Sequence, residues 1–471
     1  MMSRSFKIVV LAILLPLLFN RGALGQSVDV AALVEQAEIT GISLVVIEDG
    51  EITHSVQSGI RSSTTNPPIT ADTVFEAESL SKPVVAYIAL LMEEDGQLDL
   101  DKPLAEYVTY RDAEHDSRYL RITTRMVLSH SSGFPNFRPP GESLSIGFEP
   151  GTFFTYSGEG FLFLQKALER ISFKSLEELA WVYVFDPLEM TSTSFVWQTE
   201  FGQNIAVGHT DMGVPLDKFV PQTANAAFSL HTTPTDYARF MLAVERGEGL
   251  GRKNKRDMTT AQVDALDGVF WGLGWGLQPT LSGQAIWQWG DNSGYKTFAY
   301  LEPEAKKGII VLSNSANGML ILHTLFEEFI GGPQTAVRWL NYEKYDDPQY
   351  LLGRRVHYAI VGGGIEEART VFEESRADLP AEAFEEITLN SLGYRLLRQG
   401  LIEHAVDIFA FNSEMYPESA NASDSFGEGL YAAGRMEEAL EQYRHVLKLQ
   451  PSNMNASSMI RVIESKLASR N

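Results

Sequence analysis

Ser79-Leu80-Ser81-Lys82 sets a hydroxyl and a primary amine three residues apart at the head of a long apolar run. The stretch from Pro83 to Met92 lacks strand-like alternation, and Glu93-Glu94-Asp95-Gly96 closes it with a glycine suited to a helix C-terminus. The segment therefore reads as a buried helix, with Pro83 in the first turn, where its missing N–H is harmless. Residues at i and i+3 share one helix face, so Ser79 and Lys82 are able to meet. A serine hydroxyl attacks poorly until a base takes its proton, and an exposed lysine is already protonated at neutral pH. Desolvation and the positive end of the helix dipole both disfavour the ammonium form. Lowering the lysine pKa by ~3 units corresponds to roughly 4 kcal/mol. The same dipole favours an oxyanion developing at Ser79. The chemistry indicated is nucleophilic attack by Ser79 with Lys82 as general base.

The Ser-x-x-Lys spelling recurs at Ser293-Gly294-Tyr295-Lys296, after Gly290-Asp291-Asn292 and before Thr297-Phe298-Ala299-Tyr300-Leu301. That context is a loop entering a strand, where an odd offset puts two side chains on opposite faces. The nine histidines show no metal-ligand spacing, so no metal site and no cofactor are read. No Gly-x-Ser-x-Gly elbow surrounds any serine, which argues against an α/β-hydrolase.

Phe75-Glu76-Ala77-Glu78-Ser79-Leu80-Ser81-Lys82 resembles the nucleophile motif of the serine β-lactamase and penicillin-binding-protein superfamily, and most of all its class C β-lactamase, DD-peptidase and family VIII carboxylesterase branch. Further similarities follow in the order of that branch. They are Leu128-Ser129-His130-Ser131-Ser132-Gly133, Tyr156-Ser157-Gly158, Trp271-Gly272-Leu273-Gly274-Trp275-Gly276 and Trp289-Gly290-Asp291-Asn292-Ser293-Gly294. The resemblance spans residues 30–332. It implies an α+β fold, with an antiparallel sheet flanked by helices and an all-helical lobe carrying Tyr156. Strand-like segments at Ile42–Ile47 and Lys307–Leu312 fit that sheet. It also implies Ser79 as acylated nucleophile, Lys82 as partner base and Tyr156 as second acid/base group, leaving open which of the latter two takes the first proton. The backbone N–H groups of Ser79 and Asp291 would form the oxyanion hole. His130 reads as part of a structural turn in the same pattern.

Two positions depart from the family pattern. Its Tyr-x-Asn reads Tyr156-Ser157-Gly158 here, and its Lys/His-x-Gly reads Gln288-Trp289-Gly290. Gly158, Gln288, Trp289 and Gly290 are thus expected to shape a substrate site that lacks an amide and a cation. A glutamine donates hydrogen bonds but carries no charge, so an anionic substrate group is held more weakly. The expected activity is that of an esterase or amidase rather than an efficient β-lactamase. The alternative is a peptide-binding or scaffolding protein with a degenerate catalytic domain.

Arg4 and Lys7 precede the apolar run Ile8–Phe19, and Ala23-Leu24-Gly25 offers a cleavage site, so residues 1–25 read as a signal peptide. An exported protein, periplasmic or secreted, is expected, with no stable membrane span after cleavage. The chain of 471 residues has no cysteine, so it must be held by large cores rather than disulfides. A net charge of −23 makes nucleic acid an unsuitable partner. After an expected linker at 333–352, residues 353–471 turn to amphipathic helices. Gly393, Gly400, Ala405, Phe409 and Pro417 recur 34 positions later as Gly427, Gly434, Ala439, Tyr443 and Pro451, the tetratricopeptide period. Such a domain is either a groove for a protein or peptide partner or a stabilising appendage on the hydrolase.

Overall fold

The computed structural model describes residues 28–139 and 141–469; the expected leader at 1–25 lies outside the described residues. Eight strands form one antiparallel sheet: β1 (Gly41–Glu48), β2 (Glu51–Gly59), β5 (Val263–Asp264), β6 (Phe270–Trp271), β7 (Gly276–Pro279), β8 (Gln284–Asn292), β9 (Tyr295–Glu302) and β10 (Lys307–Ser313). Their order is β2-β1-β10-β9-β8-β7-β6-β5, and β3 (Phe75–Glu78) pairs separately with β4 (Leu230–Thr232). The two segments read as strands from their sequence, at 42–47 and 307–312, lie side by side with Ile42 opposite Ser313 and Ile47 opposite Gly308.

The period of two in these strands serves two cores. Val45, Ile47, Ile310 and Leu312 face a core shared with helices Ser81–Glu94, Gly158–Ser172 and Pro234–Arg246. Leu44, Val46, Ile309 and Val311 face the opposite core, closed by helices Val30–Gln36 and Leu322–Phe329. Both faces of the sheet are covered, which is why these strands are apolar almost throughout. Helix Ser81–Glu94 ends with Gly96 in the left-handed region, as its sequence indicated.

The segment 333–352 is not a free linker. Residues Thr335–Leu340 form a helix whose Ala336 and Val337 are buried in the second core, with Trp339 and Tyr342 packed against it. The expectation failed because two small apolar side chains between polar neighbours give little periodicity in six residues. Beyond it the chain is helical. Helix Pro348–Glu374 breaks at Gly364, whose φ is 77°, and helices Glu386–Arg398, Ile402–Met415, Ala420–Ala432, Met436–Leu449 and Met454–Ala468 follow. The 34-residue spacing has a physical basis in two repeated close approaches. A β-carbon at Gly393 would lie within 2.6 Å of the Phe409 ring, and one at Gly427 would lie 3.2 Å from Tyr443. This helical region leans on the sheet domain through Gln399 Nε2, which donates to Asp211 at 2.8 Å, and through Arg354, 3.5 Å from Glu38. Among the described residues no helix is long and apolar enough to cross a membrane.

Val337→Asp tests whether the 335–340 helix completes the sheet domain. An unpaired carboxylate there is expected to destabilise by about 3–5 kcal/mol and lower the melting temperature by roughly 10 °C. Circular dichroism melting checks this; an unchanged transition contradicts a core role.

Candidate active site

The site is assembled where three backbone segments meet. β3 ends at Glu78, whose left-handed backbone (φ 53°) turns the chain into helix Ser81–Glu94. Ser79 lies in that turn. Ser81 fixes it: its hydroxyl donates to the Glu78 carbonyl at 2.6 Å and accepts from the Leu230 N–H at 3.0 Å, tying turn to β4. Lys82, one residue on, is fully buried. Its Nζ lies 2.9 Å from Ser79 Oγ and donates to the Ala227 carbonyl at 2.8 Å. A carbonyl only accepts, so one amine hydrogen is committed to Ala227, and in the neutral amine the lone pair is available to Ser79. Burial lowers the Lys82 pKa to about 7, against the opposing pull of Glu78.

Tyr156 comes from the segment leading into helix Gly158–Ser172. Its hydroxyl accepts from Gln288 Nε2 at 2.6 Å, and its ring lies 4.8 Å from Lys82 Nζ. Enclosure pushes its pKa above the usual tyrosine value, so the phenol stays protonated. His130 stacks on that ring at 4.2 Å and accepts the Ser157 N–H on Nδ1 at 2.9 Å, which puts its own hydrogen on Nε2. Burial holds the imidazole well below its usual pKa. His130 therefore positions Tyr156 by packing. Trp289 lies 4.7 Å from Tyr156 on the other side, backed by Trp339 at 5.6 Å.

Two expected substrate positions look inward instead. Gln288 is fully buried, and its amide donates to Tyr156 and to the Ser79 carbonyl at 3.0 Å, so it ties β8 to the Ser79 turn rather than opening to solvent. Its Oε1 is buried without a partner among the described residues. Gly158 is the first residue of its helix, and a β-carbon there would lie 2.6 Å from the Asn136 carbonyl. The missing asparagine is thus excluded by a neighbouring backbone. Gly290 has a similar reason: a β-carbon would meet Glu78 Cβ at 2.7 Å and the Ala77 carbonyl at 2.8 Å. Glycine lets β8 approach the Ser79 turn, which brings Asp291 beside it. The Asp291 carboxylate turns away to Lys296 and Tyr342. The Ser79 N–H has no protein acceptor among the described residues.

A cavity of about 640 Å³ opens along Asp291, Asn292 and Ser293 and is also lined by Tyr342, Tyr350 and Arg395. Ser293 and Lys296 of the second Ser-x-x-Lys do not pair; Lys296 bonds Asp291 and the Asn292 carbonyl. Among the described residues no group of acidic and histidine side chains is placed to hold a metal ion. Several contributors were not singled out from sequence: the Ala227 carbonyl, Glu78, Asn292, Tyr342 and Trp339. A backbone carbonyl leaves no trace in a sequence. Glu78 did carry a signal, as a carboxyl beside a nucleophile.

An antiparallel sheet with a serine turn at the head of a buried helix is the architecture of the β-lactamase-related serine hydrolases. The chain belongs to the Beta-lactamase family, whose profile matches residues 29–322. It is 24% identical over 340 residues to penicillin-binding protein 4 of Amycolatopsis lactamdurans, covering 64% of this chain and 87% of that one. To a β-lactamase of Yersinia enterocolitica it is 24% identical over 328 residues, covering 60% and 84%. The fold is also that of the octameric penicillin-binding protein homologue from Pyrococcus abyssi, with TM-score 0.56, 21% identity and coverage of 69% and 79%. A β-lactamase/D-alanine carboxypeptidase from Pseudomonas syringae gives TM-score 0.57 at 19% identity, covering 64% and 95%.

Two tests follow from this geometry. Acylation by a neutral Lys82 rises with pH through about 7, because the ammonium form, dominant below that value, accepts no proton. A pre-steady-state pH profile flat from 5.5 to 8.5 (about three units spanning that value) contradicts it. Gly290→Ala is expected to slow acylation by about 10²-fold and to cost about 1–3 kcal/mol of stability, since its β-carbon forces β8 off the Ser79 turn. Stopped-flow acylation beside thermal melting separates the two effects.

Proposed function

We propose that this protein is a serine hydrolase that forms an acyl-enzyme on Ser79 and acts on an uncharged ester or amide rather than on an anionic β-lactam. The observation that carries this reading is the fully buried Lys82 amine 2.9 Å from Ser79 Oγ. Between two candidate bases, the amine lowered to about 7 is the better acceptor than a phenol raised above its usual value. In this mechanism Lys82 takes the Ser79 proton as Oγ bonds the substrate carbonyl carbon. The N–H groups of Ser79 and Asp291 hold the resulting oxyanion. Tyr156 gives its proton to the leaving alcohol or amine as that bond breaks, and is reprotonated from Lys82. Water then attacks the acyl-enzyme with the same groups in reverse, releasing the acid and restoring Ser79.

Substrate preference follows from what Gln288 brings. It adds no positive charge, and its amide is spent on Tyr156 and the Ser79 carbonyl, so a substrate carboxylate finds no counter-ion from this position. Trp289 and its aromatic neighbours give an apolar wall. Export is supported by the apolar leader at 8–19. For the C-terminal helices, the bond from Gln399 to Asp211 and the ion pair of Arg354 with Glu38 support a role as a docked part of the hydrolase. A partner on their outer face is compatible with that docking.

The test is fluorophosphonate labelling followed by peptide mapping, with aryl esters and penicillins as substrates. Ser79→Ala is expected to lose labelling and ester turnover with its fold intact. Lys82→Ala and Tyr156→Phe each lose on the order of 10²-fold or more. Lys82→Arg does not recover activity, because arginine stays protonated. Label on Ser131 or Ser293 contradicts the nucleophile assignment; faster turnover of penicillins than of simple esters contradicts the substrate preference.

A further inference from the structure

One buried carboxyl beside the nucleophile has no part in that mechanism. Glu78 directly precedes Ser79 and is 5% exposed. Its backbone is left-handed, a conformation that glycine adopts without strain and that a β-carbon opposes. The side chain is therefore present against the backbone preference of its own position. Glu78 Oε1 accepts from Asn292 Nδ2 at 3.1 Å. Asn292 directly follows Asp291. The bond thus joins the residue before one oxyanion-directed N–H to the residue after the other.

Two more side-chain bonds cross the same junction. Gln288 Nε2 donates to the Ser79 carbonyl at 3.0 Å, and Thr297 Oγ1 donates to the Ala77 carbonyl at 3.1 Å. Along β8, the Gln288 tie comes before Asp291 and the Asn292 tie comes after it. Removing the Asn292 tie frees one end of that span.

We propose that Glu78 and Asn292 form a clamp that fixes the spacing of the Ser79 and Asp291 N–H groups, making both of them positioning residues for acyl transfer. The proposal rests on the reading of Ser79 as nucleophile. The clamp also couples to charge. The groups facing Glu78 are Glu76 on β3, Lys82 on the helix, Asp291 on β8, and Tyr295 (through Glu76) and Lys296 on β9. Burial raises the Glu78 carboxyl to about 7, and when ionised it favours the ammonium form of Lys82. Glutamine at 78 keeps the acceptor for Asn292 and removes the charge, so Lys82 loses its proton at lower pH.

The experiment measures fluorophosphonate labelling rate and aryl-ester kcat and KM on the full chain, for wild type, Glu78→Ala, Glu78→Gln, Asn292→Ala and the Glu78→Ala/Asn292→Ala double variant. Asn292 is exposed at a strand end, so its variant folds whatever Glu78→Ala does. Asn292→Ala is expected to lower kcat and labelling roughly tenfold to a hundredfold with KM held within about threefold. The double variant is expected to be no worse than the weaker single, because both remove one bond. Glu78→Gln recovers most of the rate lost in Glu78→Ala and moves the acidic limb of the pH profile to lower pH. Asn292→Ala at the wild-type rate, or losses that multiply in the double variant, overturns the clamp, and an unmoved pH limb in Glu78→Gln overturns its coupling to Lys82, while a labelled wild type leaves the nucleophile reading standing. An unlabelled wild type overturns both.

Discussion

An amine held out of water against a serine hydroxyl is the contact around which the rest of this structure is arranged. Lys82 is fully buried, and its two polar contacts are the Ala227 carbonyl and Ser79 Oγ. Burial of an ionisable group is unfavourable to the charged form, and here that penalty lowers the amine's pKa to about 7. Everything close by maintains it. Val84, Val85 and Leu80 exclude water from the helix around Lys82, and the Tyr156 and Phe161 rings cover its amine at 4.8 and 5.9 Å. Glu78 is the exception, a carboxyl whose charge works against the neutral amine.

Around that pair the fold holds two strand systems at unusually close range. Gly290 has no room for a β-carbon, and Gln288, Asn292 and Thr297 each send a hydrogen bond across to residues 77–79. The aromatic wall of Trp271, Trp289 and Trp339 continues from Tyr156 into the 335–340 helix. Tyr342 extends this from the next turn to the Asp291 carboxylate. The chain beyond the catalytic family's own span is therefore built into the site's surroundings, and the cavity along Asp291 has helical-region residues in its lining.

Much of this was legible in the sequence because local chemistry dictated it. Ser79 and Lys82 were marked by spacing at a helix start, β1 and β10 by their apolar runs, and the helical hairpins by glycines repeating against aromatic residues. The roles of Gln288 and Gly158 were not legible. A glutamine in place of a cation looks like a change in substrate contact, and only the fold shows its amide turned onto Tyr156 and the Ser79 carbonyl. Gly158 looks like a lost amide, and only the Asn136 carbonyl shows why a side chain is excluded. The 335–340 helix escaped notice because its burial is set by strands distant in sequence. Long-range contacts decide such cases, and they leave no local pattern.

Burial holds the Lys82 amine well below the ordinary lysine pKa. The most direct test of this is a carbon-13 NMR titration of the lysine side chains, with the Lys82 resonance assigned by its absence in Lys82→Ala. One lysine is expected to titrate near pH 7, far below the ordinary value of 10.5. A Lys82 resonance that titrates with the other lysines, near 10.5, contradicts it.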